Sequence, residues 1–481
     1  MFGVRAVFNI LGWVACWVGL LLFIPMATDL AYQNFDWTNF AWPAAITLFA
    51  GIAIILSTYT SGTLRLNYRQ AYLVIILGWI FVALFGAIPF LGMGVGFTDA
   101  VFETMSGITT TGSTVLTGLG TLAPGLLLWR AILQWIGGIG IIAIAVLILP
   151  FLRVGGMQLF KIENSDPSQD KVASMLKTLL FLSGVYTALT LANTLVYYLL
   201  GMSGFDAITH AMATVSTGGY STHDESFGYF KDLRLQWAAT FFMISGAVPF
   251  LLYVKMTLGD VRALICDQQV RGFLTFLVLT SVAMAYWLMT QRDISAFEAL
   301  TLTSFNITSV VTTTGFTSDD YTAWGPGAVG VFLVLMFVGG CSGSTTGAIK
   351  IYRFQILFIF IRAHIKRLFS PNRVLPLLYN GRALPNDVPL SVLAFLTVFV
   401  ATIALFTVIL ALLGLDIVTA YSASITAIAN VGPGIGTIIG PSGNFEALPD
   451  AAKWVLSFAM LAGRLEVLVL LVAFDPDFWR N

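Results

Sequence analysis

The chain has 481 residues, 58% of them hydrophobic and only 10% charged, with a mean hydropathy of +0.88. These values exclude a soluble globular protein and place the chain among integral membrane proteins. Its 24 basic and 24 acidic residues cancel, so no charge excess points to nucleic acid, and the placement of the charges carries the information instead.

The apolar runs over 74–91, 131–152, 178–200, 237–253 and 390–413 are close to the roughly 20 residues a helix needs to cross a bilayer. They lack the alternation of barrel strands, so the expected class is an all-α integral membrane fold. The first run, 7–27, follows Arg5 as a signal peptide would. It is long for such a segment and has no small-residue cleavage pattern around Pro25, so it reads as a retained helix. With a second helix over 40–57 it makes a two-helix extension, residues 1–64.

From there the chain repeats one plan: a long apolar helix, a short Thr/Ser-rich segment, a glycine-containing turn and another long helix. The short segments are FETMSGITTTGST (102–114), ITHAMATVSTGGYS (208–221), TSFNITSVVTTTGFT (303–317) and ITAIANVGPGIG (425–436). They are too short and polar to span, which makes them candidate re-entrant half-helices. Aligning the first glycine of each turn pairs Gly112, Gly218, Gly315 and Gly432, at intervals of 106, 97 and 117 residues. The predicted repeats are 65–165, 166–265, 266–380 and 381–481, four pseudo-symmetric units around a central pore, with about ten membrane-crossing helices in all.

If both termini are cytoplasmic and the turns face outward, 18 of the 24 basic residues lie inside. Arg130, Lys231, Arg234, Arg292 and Lys453 lie outside, and Arg464 falls within the membrane. That bias sets the orientation. The acids Asp99, Glu103, Asp224, Glu225, Asp319 and Asp320 fall on the outer side, where they would concentrate cations at a pore mouth. Glu103, Asp206, Glu298 and Asp416 lie near the predicted half-helix starts, matching the positive end of the dipole.

Non-helical backbone at membrane depth is tolerated only where it is buried in protein or lines a water-filled path. β-Branched threonines favour extended backbone and glycine permits a left-handed one, so a Thr-Thr-Gly turn can aim consecutive carbonyls in one direction. Four such turns can form a cage of oxygens around a cation. The competing reading is that these small residues merely pack helices closely.

Within the third repeat, FVGGCSGSTTGAIK (337–350) interrupts a closing helix with Gly339, Gly340, Gly343 and Gly347 beside Ser344, Thr345 and Thr346. Each glycine costs a helix about 1 kcal/mol relative to alanine, so the helix is expected to break into a loop across the pore; a GxxxG packing face is the alternative. Arg464 lies in the apolar last helix. A charge there requires a partner in protein or water. Glu466, two residues on, points the other way along a helix, which leaves the carbonyls of 339–347. The histidines His210, His223 and His364 are scattered and form no metal pattern. The three cysteines, Cys16, Cys266 and Cys341, lack metal or redox spacing and read as small buried apolar residues.

On these four turns and the broken segment, the chain resembles the Trk/Ktr/HKT superfamily of cation transporters. Within it, the chain more closely resembles the TrkH-type membrane subunits of bacterial potassium uptake. The likeness covers essentially the whole chain, including two opening helices that Ktr-type relatives lack. It implies a potassium filter formed by Thr110, Thr111 and Gly112; Ser216, Thr217 and Gly218; Thr313, Thr314 and Gly315; and Asn430, Val431 and Gly432. K+ would be the transported ligand, with no bound cofactor. In plant relatives a serine at the first glycine position goes with sodium transport, so four glycines favour potassium. The fourth turn, Asn-Val-Gly, departs from the Thr-Thr-Gly pattern. The resemblance further implies a gate at 337–350 with Arg464 as a positive barrier, a homodimer, and a location in the bacterial inner membrane. It also implies a cytoplasmic nucleotide-binding regulator resembling TrkA, docked near the basic residues Arg353, Arg362, Lys366, Arg367, Arg373 and Arg382. No P-loop motif occurs in the chain itself. One rival reading is a broken-helix symporter for another small substrate; an intramembrane enzyme finds no paired nucleophile and base.

Overall fold

The computed structural model describes residues 4–59, 67–147, 171–372, 375–385 and 387–480. The expected boundaries at 64/65 and 165/166, with Arg65 and Arg373, lie outside them. The boundary at 265/266 falls inside a short helix, Arg262–Cys266, and that at 380/381 falls at the tip of a hairpin.

The opening span runs through Val4–Leu21 and Phe23–Ala31, and packs along Thr38–Ser57. The crossing is close because glycines face it: a Cβ on Gly51 would lie 2.6 Å from Cys16 Sγ and 2.8 Å from the Gly12 carbonyl. At the end of the span the fully buried Asp29 carboxylate accepts a 2.6 Å bond from the Gly125 N–H. It thus caps the helix Pro124–Leu147 from outside and fastens the extension to the first repeat.

Each repeat then follows the predicted plan. The opening helices are Tyr68–Gly92, Lys171–Leu199, Gln268–Gln291 and Asp387–Leu412, and the half-helices are Phe97–Ile108, Gly204–Val215, Ala296–Val311 and Ile417–Ala429. The half-helices have 12 to 16 residues, or about 18–24 Å, short of the hydrocarbon thickness. Their starts are signalled by sequence: the side chains of Ser203, Ser295 and Asp416 each accept a bond from the backbone N–H three residues on. The Asp416 carboxyl is held below the usual carboxylate range by its hydrogen bonds with the Thr419 hydroxyl and N–H. Asp206 and Glu298 sit in first turns. Glu103 does not: the first-turn acid of repeat one is Asp99, and Glu103 is buried mid-helix.

Closing helix one, Pro124–Leu147, is continuous, but the other three break. The apolar run over 237–253, expected as one helix, bends by 91° between Leu233–Ala247 and Phe250–Thr257. Pro249 explains the break, because it supplies no N–H and its ring excludes a helical neighbour. Closing helix three is Pro326–Leu335, a non-helical segment, then Ile351–Phe369. Closing helix four bends by 104° between Asp450–Arg464 and Val467–Phe474, with Glu466 in the left-handed region (φ 59°). Among the described residues, seven apolar helices are long enough to cross a membrane, and the two bent pairs bring the total to nine. The interrupted third closing helix supplies the remaining path. Two pairs of two-residue strands, Val338–Gly339 with Ile349–Lys350 and Leu378–Tyr379 with Arg382–Ala383, are the departures from an all-helical chain among the described residues.

One glycine in each of closing helices one, two and four has the same cause. A Cβ on Gly137, Gly246 or Gly463 would fall 1.9, 2.8 or 2.0 Å from the carbonyls of Ile108, Val215 and Ile428. Each of these carbonyls ends the repeat's own half-helix, so the spans close in beneath the turns.

Candidate functional site: a ring of four turns

Every half-helix ends in the same way. A residue in the left-handed region follows it, namely Thr110 (φ 52°), Thr217 (φ 54°), Thr313 (φ 55°) and Asn430 (φ 54°). The next N–H bonds back five residues: Thr111 to Ser106 at 2.9 Å, Gly218 to Ala213 at 2.9 Å, Thr314 to Ser309 at 2.8 Å and Val431 to Thr426 at 3.0 Å. This is the Schellman ending, which normally takes glycine or asparagine. A β-branched threonine there costs on the order of 1–2 kcal/mol. The sequence reading assigned these threonines an extended backbone; the middle one of each trio is left-handed instead.

Two residues beyond each left-handed residue lies a glycine with positive φ: Gly112 (86°), Gly219 (76°), Gly315 (81°) and Gly432 (110°). The second turn therefore shifts by one residue from its expected alignment. Gly219 matches the other three glycines, and Gly218 takes the place of Thr111, Thr314 and Val431. The same four positive-φ glycines line a cavity of about 240 Å3 on the far side of the turns, and Gly218 does not.

The turns close on one another in cyclic order. A Cβ on Gly112 would lie 2.2 Å from the Gly218 carbonyl oxygen, on Gly219 1.8 Å from that of Thr314, on Gly315 2.2 Å from that of Val431, and on Gly432 2.8 Å from that of Thr111. Repeat one thus meets two, two meets three, three meets four and four meets one. Four carbonyls and four glycines make a ring in which no glycine has room for a side chain. Three side-chain bonds also bind it: Ser113 Oγ donates to the Gly432 carbonyl at 2.8 Å, and Asn430 Nδ2 donates to Thr111 Oγ1 and the Met460 carbonyl, each at 2.9 Å.

A buried ion pair braces the first turn from behind. Glu103, fully buried, takes the Arg130 Nε–H at 2.8 Å and the Val115 N–H at 3.0 Å, while Arg130 Nη1 donates to the Ser221 carbonyl at 2.9 Å. The guanidinium also lies 4.1 Å from the Tyr220 ring centroid. Arg130, placed on the outer side by its sequence position, is buried as an internal strut. Lys453 is likewise buried, against Asp99 at 2.6 Å. Replacing Glu103 with alanine strands the Arg130 charge; the expected cost is about 3–5 kcal/mol, read as a lowered melting temperature of the purified protein in detergent.

The mouth cavity carries Asp224, whose carboxylate also accepts from the Leu119 N–H at 3.1 Å. An adjoining cavity collects Asp224, Glu225, Asp319 and Asp320, four of the six acids expected at a pore mouth, whereas Asp99 and Glu103 are paired with Lys453 and Arg130 instead. Asp319 is partly neutralised by Arg292 at 2.6 Å.

On the opposite face of the ring lies the segment 337–350. It is not a helix, which removes the GxxxG reading. Its glycines are fixed by contact: a Cβ on Gly339 would lie 2.4 Å from the Gly347 carbonyl, on Gly340 2.9 Å from Ala247 Cβ, and on Gly347 2.3 Å from the Ala429 carbonyl. Gly343 has φ 76°. The Gly347 N–H donates to Thr313 Oγ1 at 2.8 Å, Thr217 and Thr345 share a hydroxyl bond of 3.1 Å, and the Ala348 N–H donates to the Ala429 carbonyl at 2.8 Å. The hydroxyls of the left-handed threonines therefore do matter, at two of three positions. Ser344 Oγ and Thr346 Oγ1 lie 2.9 Å apart, and Thr346 also receives the Lys350 ammonium.

Arg464 is the last residue of its helix and 3% exposed. Its Nη1 donates to the Thr345 carbonyl at 2.9 Å, and Nε and Nη2 have no partner among the described residues. Glu466 is not its partner: it pairs with Arg353 at 2.8 Å. Arg353, expected among the surface basic residues, is fully buried and lies 3.6 Å from the Phe395 ring centroid. Lys350, Gly343, Thr346, Arg464 and Glu466 line a third cavity, of about 40 Å3, on this side, about the room one water needs.

Other pairings were hidden by sequence distance. His210 and His223 stack at 6.4 Å, with the His223 ring 3.5 Å from Asp206. Among the described residues no group of three His, Cys, Asp or Glu side chains forms a metal site. Cys16 and Cys341 are buried, but Cys266 is exposed.

The geometry has close counterparts. A family model described as TrkH, cation transport protein, matches residues 39–480. The Trk system potassium uptake protein TrkI of Halomonas elongata is 44% identical over 475 residues, covering 97% of this chain and 95% of that one. TrkH of Escherichia coli is 33% identical over 488 residues, with 99% of each chain covered. The crystal structure of the potassium transporter TrkH from Vibrio parahaemolyticus superposes with a TM-score of 0.91 at 32% identity over the full length of both. With the repeats, the ring and near end-to-end similarity in agreement, this chain belongs to the TrkH family of cation transport proteins and is a multi-pass membrane protein.

Proposed function

We propose that the chain is the membrane subunit of a bacterial potassium-uptake system, conducting K+ down the axis of the four-turn ring. The observation that carries this reading is the cyclic closure: each turn's carbonyl abuts the glycine of the turn before it. Such a ring offers carbonyl oxygens in place of a cation's hydration shell. The half-helices present their C-terminal, partially negative ends at its inner side, which suits a cation. A symporter for an anionic substrate needs N-terminal ends there. Glycine at all four ring positions, together with the potassium named in the relatives' descriptions, favours K+ over Na+.

In this account the segment 337–350 is the gate. It is tied to turns two and three and to the end of half-helix four, and Arg464 holds its Thr345 carbonyl. The unneutralised guanidinium sets a positive barrier below the ring. Lys and Arg bias places both termini in the cytoplasm of an inner-membrane protein. The transmembrane potential then supplies about 2.3 kcal/mol per charge per 100 mV for inward movement. Gating is set by a cytoplasmic nucleotide-binding regulator resembling TrkA, and the subunit works as a homodimer. A bacterium lacking potassium uptake should grow at low potassium when given this chain with its cognate regulator; failure despite normal membrane levels would refute the assignment.

A further inference from the structure

The second turn lacks a side chain that the others have. At the position before the positive-φ glycine, repeats one, three and four carry Thr111, Thr314 and Val431, all fully buried, whereas repeat two carries Gly218. Two of those side chains brace their own turns: Thr111 Oγ1 lies 2.7 Å from Thr109 Oγ1, and Thr314 Oγ1 lies 2.8 Å from Thr312 Oγ1. Gly218 can make no such bond, and Ser216, at the matching position, donates instead to the Ala213 carbonyl.

The missing volume is filled by Gln134, from closing helix one of the neighbouring repeat. A Cβ on Gly218 would lie 2.4 Å from Gln134 Cδ, 2.7 Å from Oε1 and 2.8 Å from Nε2. The amide is fully buried and satisfied at both ends: Nε2 donates to the Gly218 carbonyl at 2.6 Å, and Oε1 accepts from the Tyr220 N–H at 3.0 Å. It therefore straddles Gly219, holding the backbone on either side of the ring glycine. Arg130, one helical turn earlier, takes the Ser221 carbonyl. Among the described residues, no other repeat has its ring position braced by a side-chain amide that also occupies the place of a missing Cβ.

We propose that Gln134 is a positioning residue for the second turn, fixing the direction of the Gly218 carbonyl and thereby setting part of the ion selectivity. This rests on reading the ring as the potassium filter. Gln134→Leu keeps the volume but removes both bonds, and Gln134→Glu keeps the shape but removes the donor; each leaves a ring carbonyl free to turn.

The test measures K+ and Na+ flux in proteoliposomes holding the full chain with its regulator. Both variants should lower the preference for K+ over Na+ by about tenfold, the worth of one buried hydrogen bond, at protein levels equal to the unmodified chain. Gly218→Ala alone should lower flux by at least about tenfold by displacing the Gln134 amide from its two bonds. Combined with Gln134→Ala it should recover at least about tenfold, because the two sites share one space. An unchanged K+ preference in Gln134→Leu, or a double variant no better than Gly218→Ala, would overturn the proposal. A parallel Gly112→Ser variant separates the causes. If it lowers K+ flux, as its 2.2 Å approach to the Gly218 carbonyl requires, while Gln134→Leu leaves the K+ preference unchanged, only the role of Gln134 falls. If Gly112→Ser leaves both flux and preference unchanged, the filter reading falls as well.

Discussion

Alanine at Gly219 is expected to reduce K+ uptake by at least about 100-fold, which needs only about 2.7 kcal/mol on the barrier. Two costs add here. At φ 76° an L-residue is strained by on the order of 1–2 kcal/mol, and its Cβ would stand 1.8 Å from the Thr314 carbonyl. That contact cannot be relieved by a side-chain rotation, because both partners are backbone within the ring. Alanine at Gly112 and Gly315 should act similarly, with their 2.2 Å approaches, and at Gly432 less severely, at 2.8 Å. Gly118 is the control. It also has positive φ, but a Cβ there meets nothing nearer than Thr121 Oγ1 at 3.4 Å, so the strain lowers stability without displacing the ring, and uptake should stay within about threefold. Uptake of 86Rb+ by cells with matched membrane levels reads the series. Normal uptake in Gly219→Ala would mean that the ring is not the conduction path.

Removing the Arg464 charge is expected to raise flux by at least about tenfold when the regulator is inactive. A unit charge 4 Å from a passing cation opposes it by about 4 kcal/mol at an effective dielectric of 20, and no acidic partner among the described residues neutralises this guanidinium. Arg464 also tethers the segment 337–350 through Thr345, so substitution can act by charge or by tether. A glutamine in its place would retain a donor toward Thr345 without the charge, so Arg464→Gln should match Arg464→Ala if the barrier is electrostatic. It should match the unmodified protein if the tether dominates. Arg464→Lys, which retains charge, should conduct little more than the original. Unaltered flux in Arg464→Ala at normal expression would remove Arg464 from the gate.

Much of the architecture was legible because membrane depth restricts what a chain can do. Four Thr/Ser/Gly segments too short to span, at intervals near 100 residues, leave few alternatives to re-entrant half-helices. The broken third closing helix followed from glycine content alone. What spelling could not decide was register in the second turn: Thr217-Gly218-Gly219 offers two adjacent glycines, and the five-residue back-bond from Gly218 selects the second. Nor could charge pattern separate Arg353 from its basic neighbours, since its partner Glu466 lies 113 positions away. The bend after Arg464 has no proline to announce it, Gly463 being accounted for by the close approach of the Ile428 carbonyl, and it turns on Glu466 adopting a left-handed backbone. Pro249, by contrast, was a readable signal within the run 237–253, masked by the apolar residues on either side. Gln134 was invisible because its meaning comes from a glycine in the next repeat.

The most direct test of the ring as a potassium path is crystallographic, using anomalous scattering from Rb+ in place of K+. The account predicts Rb+ peaks on the axis encircled by the carbonyls of Thr111, Gly218, Thr314 and Val431, lost when Na+ replaces Rb+. Well-ordered density for all four turns with no Rb+ between them, or with Rb+ bound only elsewhere in the protein, would contradict it.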